Sequence, residues 1–278
     1  MVNPLPLLRW THRLLGPVAP GLSAQLARQL FTRPRRHAPP EREAVAERSA
    51  QRFALGEGVS ALRFGRGGPR ILAMHGWEGR ATQWGALAEL ATAAGFELIA
   101  LDAPAHGHSL GDHTHIGEFA RTLLEADRLY GPFTAVIGHS MGGAAAALAL
   151  ASGLRAERAV LIASPSAIDR VLHGFAAHVR LSTGAERAFF EQMERTVGRP
   201  AEELDVAALA LRHPVLLLHS RDDREVPFRE AEAIRGHWPQ AELVALDGLG
   251  HRRILRDLGA LQAAVEFLAQ PARVARAS

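Results

Sequence analysis

Residues 134–143 read Thr-Ala-Val-Ile-Gly-His-Ser-Met-Gly-Gly, and they are followed by the alanine-rich run Ala144–Ala151. A short apolar run, a glycine-flanked serine and a strong helix former predict a strand, a sharp turn and a helix. A serine at such a turn stands exposed on strained backbone, and the flanking glycines let neighbouring chain come close. That candidate nucleophile is Ser140. The spacing alone is weak, so its surroundings must decide.

Outward from this turn, short apolar runs recur at Val59–Phe64, Ile71–Met74, Glu97–Leu101, Thr134–Ile137, Ala159–Ala163, Val215–His219 and Leu243–Leu246. Between them lie helical patterns at Thr82–Ala94, Ile116–Tyr130, Gly143–Ser152, Arg229–Gly236 and Leu258–Ala269. Continuous apolar strands alternating with helices predict a mainly parallel sheet covered on both faces. Residues 164–213 break the rhythm: they hold helical patterns such as Ala185–Val197 and no convincing strand. They read as an inserted helical cap.

With G-H-S-M-G-G at 138–143, the chain resembles the α/β-hydrolase-fold serine hydrolases, of the bacterial esterase and lipase type, over roughly Arg70 to the C-terminus. The resemblance implies a mostly parallel sheet flanked by helices with a small helical cap, and a triad in the chain order serine, acid, histidine. His219-Ser-Arg-Asp-Asp-Arg-Glu-Val-Pro227 follows an apolar run, and the family's spacing before Val-Pro selects Asp223 as the acid, with Asp222 as the neighbouring alternative. Both are also ordinary turn formers. Gly248-Leu-Gly-His251 follows the last run and implies His251 as general base. His75-Gly-Trp-Glu-Gly79 resembles the oxyanion loop, so the amides of Trp77 and Met141 become the expected donors. Asp102-Ala-Pro-Ala-His-Gly-His-Ser109 resembles a scaffolding turn of the family.

A serine at the elbow implies an acyl-enzyme and removes carbon–halogen and epoxide chemistry, which use aspartate there. The expected function is cleavage of a carboxylic ester through acyl-Ser140. A thioesterase or transacylase using the same triad, and a non-enzymatic binding protein on a hydrolase scaffold, stand as alternatives. Trp77, Phe175, Phe189, Phe190 and Met193 are the candidate substrate-binding side chains. The last four are equally well read as the core of the cap.

No cofactor is implied. His106, His108, Asp112, His113 and His115 resemble the H-x-H-x-D-H zinc motif of metallo-β-lactamase-like hydrolases, but two extra residues separate His108 from Asp112, and no metal is expected. Zero cysteines exclude disulfides and thiolate chemistry, and a cytoplasmic location is the default. No transmembrane run or clean secretory pattern is present.

All 32 basic residues are arginine, and residues 1–52 hold nine of them against three glutamates, a net +6 in a chain of net +3. Residues 1–50 read as a basic helical arm and connector, and 51–278 as the hydrolase domain. Leu22, Leu26 and Leu30, with Leu7, Trp10, Leu14 and Leu15, form stripes expected to pack on the domain itself. Weak association of the arm with a membrane surface is the second reading. No nucleic-acid module accompanies the arginines, and the expected partner is a small acyl substrate. The sequence carries no signal for an oligomeric state.

Overall fold

A computed structural model describes residues 5–270. Eight strands form one sheet: β1 Gln51–Leu55, β2 Val59–Phe64, β3 Arg70–Met74, β4 Glu97–Leu101, β5 Phe133–His139, β6 Ala156–Ile162, β7 Val215–Ser220 and β8 Ala241–Leu246. Their spatial order is β1-β2-β4-β3-β5-β6-β7-β8. β1 and β2 join antiparallel, and β3 to β8 run parallel. β1 is absent from the sequence reading because Gln51-Arg-Phe-Ala-Leu55 lies at the sheet edge and is partly exposed, which removes the apolar run.

Side chains along each central strand alternate between two cores, as the pleat requires. Leu72 and Met74, Val136, Ala159 and Leu161 face one side, with Leu123 of α5 (Ile116–Tyr130) and the alanines of α6 (Met141–Ala151). Ile71 and Ala73, Ile137, Val160 and Ile162 face the other, with Leu87 of α4 (Gly85–Ala93) and Leu261 of α11 (Leu258–Ala269). Every residue of α6 from Met141 to Leu150 is buried. Its glycines and run of alanines let most of the helix surface come close to its neighbours.

Between β6 and β7 the cap carries α7 (Ile168–Val179) and α8 (Thr183–Val197). The segment before β1 forms α1 (Leu5–Val18), α2 (Pro20–Thr32) and α3 (Glu41–Arg48). Helix α2 packs along α8, and α1 touches α2, α7 and α8. Buried Ala24 and Ala27 of α2 allow that approach, and Arg9 Nε donates to the His178 carbonyl at 2.8 Å. A buried bond of 2.8 Å joins His12 Nδ1 and Ser23 Oγ, locking α1 to α2.

The stripe assignment changes here. Leu26, Leu30 and Leu15 are half-buried, whereas Leu7, Trp10, Leu14 and Leu22 point to solvent. The docked face is built from Leu8, His12, Gly16, Ala24, Ala27 and Phe31, since close helix packing selects small residues that a search for large apolar stripes passes over. Residues 33–40 form no helix or strand, and Arg33 and Pro40 at their ends have extended backbone. Arg36 straps them down, donating to the carbonyls of Gly107, Ser109 and Gly111 at 2.8, 2.7 and 3.0 Å.

The remaining helices, α9 (Arg229–His237) and the short α10 (Gly250–Arg253), flank β8 in sequence. Among the described residues, no helix is long and apolar enough to cross a membrane.

Candidate active site

Ser140 sits between β5 and α6 at φ 53°, ψ −124°, a conformation that costs an L residue roughly 1–3 kcal/mol. Two glycines make this turn feasible. A Cβ on Gly138 would lie 2.3 Å from the Gly142 carbonyl oxygen, and one on Gly142 would lie 2.3 Å from that of His75. Both obstacles are backbone, so neither can yield. The Ser140 amide donates to the Ile162 carbonyl at 2.8 Å, which anchors the turn to β6.

The loop after β7 brings Asp223 against α10. Asp223 Oδ2 accepts from His251 Nδ1 at 2.8 Å, while Oδ1 accepts from the amides of Glu225 and Val226, each at 2.9 Å. Burial works to raise the carboxyl's pKa, but the imidazole bond and the two amides outweigh it and hold the group below the usual aspartate range. The neighbouring Asp222 faces the other way: its Oδ1 accepts from Ser220 Oγ at 2.5 Å and from the Gly250 amide at 3.3 Å, clamping the loop that carries His251. His251 and Ser140 line the same cavity.

Trp77 follows β3 directly, beside Ser140 in that cavity. Neither the Trp77 nor the Met141 amide donates to another backbone group in the described structure. His75 is taken up structurally, donating from Nδ1 to the Gly76 carbonyl at 2.7 Å and accepting at Nε2 from the Ala103 amide at 3.0 Å. His106 Nε2 accepts from the Glu78 amide at 3.0 Å, which fixes the loop just past Trp77. Asp102 accepts from the Ala81 and His108 amides at 2.7 and 3.0 Å and is likewise scaffolding.

His139 is a residue the sequence reading passed over. Its Nε2 donates to the His251 carbonyl at 2.9 Å and its ring lies 4.7 Å from the imidazole of His251. The only available signal was its place beside Ser140. Among the described residues, no three His, Asp or Glu side chains converge as a metal site, and the histidines at 106–115 are spread over separate partners.

Two lobes meet at Ser140, His251, Trp77, Glu78 and Glu225. One, of about 610 Å³, is walled by Leu8, Leu30, Phe31, Ile168, Val171 and Phe175. The other, of about 560 Å³, is lined by polar groups including His37, Arg42, Arg80, Gln83, Arg252 and Arg256. Phe175 and Trp77 are therefore at the cavity. Phe189 is fully buried between Phe31, Phe175 and Phe190, and Phe190 and Met193 border a separate small cavity of about 20 Å³. Three of the five candidate substrate contacts thus sit away from Ser140, and four apolar arm residues, Leu5, Leu8, Leu30 and Phe31, line the apolar lobe instead.

A model of the alpha/beta hydrolase family matches residues 71–270. The chain belongs to this family. No curated protein matches the sequence. Among solved structures, this hydrolase is similar to the esterase Pf2001 of Pyrococcus furiosus, with 20% identity, 84% of this chain and 98% of that chain covered, and a TM-score of 0.62. The mouse alpha/beta hydrolase domain-containing protein 10 has 17% identity, 78% and 95% coverage and a TM-score of 0.62. For the Exiguobacterium antarcticum esterase the values are 14%, 76% and 96%, and 0.60. At these identities the likeness is one of fold.

Three buried histidines around the hydrolase site carry a pH prediction. Burial lowers the pKa of His75 to about 4 and of His106 and His139 to about 3, with repulsion from neighbouring cations or histidines as a further cause. Unfolded, each would take up a proton near pH 6.5, so stability is full above that pH and falls as pH drops toward the folded-state values. At pH 5 the loss is about 2 kcal/mol per histidine. Asp223, whose folded pKa is lowered, keeps its contribution through this window and loses it only below about pH 4. Urea unfolding should therefore show a markedly lower midpoint at pH 5 than at pH 7.5, and equal midpoints would contradict neutral burial.

Proposed function

We propose that this hydrolase cleaves carboxylic esters through an acyl-Ser140 intermediate, with His251 as general base and Asp223 as its orienting acid. The observation that carries this is the 2.8 Å bond from His251 Nδ1 to a buried Asp223 carboxylate, at the rim of the cavity that holds Ser140. With Nδ1–H committed to Asp223, Nε2 is the nitrogen left to take the Ser140 proton. Among the described residues no hydrogen bond joins Ser140 Oγ to His251, and catalytic hydrogen bonds of this kind commonly tighten only in the complex with substrate.

Attack by Oγ on the ester carbonyl places negative charge on its oxygen, where the Trp77 and Met141 amides and the N-terminus of α6 stabilise it. His251 then gives its proton to the leaving alcohol, and a water activated by the same imidazole releases the acid and restores Ser140. The apolar lobe under the arm and cap suits a hydrocarbon portion of the ester, and the arginine-lined lobe suits a polar portion.

An active-serine phosphonate probe is expected to label the wild type and to leave Ser140→Ala unlabelled. Absence of labelling in folded wild type would sink the proposal. A panel of p-nitrophenyl esters of increasing chain length, run beside thioester and amide substrates and an alcohol acceptor, separates esterase from thioesterase, amidase and transacylase.

A further inference from the structure

Among the described residues, nine large apolar side chains are substantially exposed, and five of them crowd onto one end of the arm: Leu7 (70%), Trp10 (62%), Leu14 (53%) and Val18 (80%) on α1, and Leu22 (48%) at the start of α2. The other four, Val45, Leu110, Leu129 and Leu258, lie singly on different elements. Positions 7, 10, 14 and 18 fall within one narrow arc of the helix, and Arg13 is exposed at its border. The opposite arc of α1 carries Leu5 and Leu8, which wall the apolar lobe at Ser140. One helix thus separates an outward apolar stripe from the inner cavity.

The charge of the arm as a whole names the occupant of the stripe. Residues 1–40 contain six arginines and no aspartate or glutamate; the first acidic residue is Glu41. Arg13 is solvent-exposed at the border of the stripe, whereas Arg33 and Arg35 are exposed at the cavity and Arg36 is held by the carbonyls of Gly107, Ser109 and Gly111. A second copy of this chain pressed on the same face would bring arginine toward arginine with no carboxylate in either arm to neutralise them. An anionic bilayer supplies both requirements at once: phosphate-level charge for the arginines, and an apolar interior for leucine and valine with an interfacial seat for Trp10. We propose that α1 docks in the plane of an anionic lipid surface through Leu7, Trp10, Leu14, Val18 and Leu22. Docking stands apart from the catalytic reading; that the apolar lobe then draws its ester from the membrane rests on it.

The test is co-sedimentation of the full chain with vesicles of phosphatidylcholine alone or mixed with phosphatidylglycerol, using wild type, Ser140→Ala and the double variant Trp10→Glu/Leu14→Glu. Neither substituted arm residue lines the Ser140 cavity. Wild type and Ser140→Ala are expected to pellet with the anionic vesicles, to do so less at high salt, and to stay largely in solution with phosphatidylcholine alone. The double variant should lose at least about tenfold in partitioning while keeping the wild-type Tm and rate on soluble p-nitrophenyl acetate. Equal pelleting of the double variant would overturn the proposal, as would a wild type that ignores anionic vesicles. A wild-type dimer that the double variant dissolves, without vesicle binding, would assign the stripe to a second copy. Ester turnover is read separately, so a chain that binds vesicles but hydrolyses nothing refutes the catalytic reading alone.

Discussion

His251→Ala and Asp223→Asn are expected to lower kcat on soluble esters by about 10⁴-fold or more, with little change in KM. The reason is one of roles that fail together. Without the imidazole the serine keeps its proton, and without the Asp223 carboxylate the imidazole loses the bond that holds Nδ1–H and leaves Nε2 free. Ser140→Ala should fall to the same floor, and double variants should fall no further, because residues that act as a unit are not additive. Asp222→Asn is the internal control: its side chain accepts from Ser220 Oγ and the Gly250 amide rather than from His251. A loss there of more than about tenfold, with Asp223→Asn mild, would reverse the assignment of the acid.

Removal of residues 1–32 should have the second large effect, on stability and on chain-length preference together. The arm contributes Phe31, whose ring lies 4.9 Å from Phe175, 5.9 Å from Phe189 and 6.2 Å from Trp77, at the junction of cap and cavity. Losing that half-buried ring costs part of the about 3–5 kcal/mol typical of a core phenylalanine, and the truncation also strips the cover from α8. The truncated chain should melt well below the full one. Its kcat/KM for long-chain esters should fall toward that for acetate, because Leu8, Leu30 and Phe31 no longer wall the apolar lobe. A truncation with unchanged Tm and unchanged preference would show that the arm does not build the site.

The difference between these two regions explains what was legible in the sequence. Ser140 and Asp223 follow buried apolar strands and His251 follows the half-buried edge strand β8, whose Leu-Val-Ala-Leu run is still apolar, and a strand followed by a distinctive turn leaves a local trace. The mainly parallel sheet was legible for the same reason, apart from β1, whose exposed edge erased its apolar run. The apolar lobe leaves no such trace. Leu8, Phe31 and Phe175 are far apart in the chain and meet only through the packing of α1 and α2 on α7 and α8. Phe175 on α7 and Phe189 on α8 each fit a helical pattern of cap core, and periodicity alone does not say which of them faces a cavity. The outward stripe of α1 shows the converse: a regular apolar pattern predicts burial, while the small residues that do the burying carry little hydrophobic signal.

The pairing of β7 with its neighbours has one more consequence. Leu217 is matched to Leu161 on one side and Leu243 on the other, and all six residues of β7 are buried. In a strand, a shift of one residue turns every side chain to the opposite face. Asp222 and Asp223 are adjacent and of identical chemistry, so what distinguishes the clamp from the partner of His251 is only the count of residues from the sheet. With the sheet register kept, deleting a single residue from the end of β7 would move Asp223 into the place of Asp222 and Arg224 into the place of Asp223, leaving His251 facing a guanidinium instead of a carboxylate. Identity at this site is positional, kept by the leucines beneath the loop.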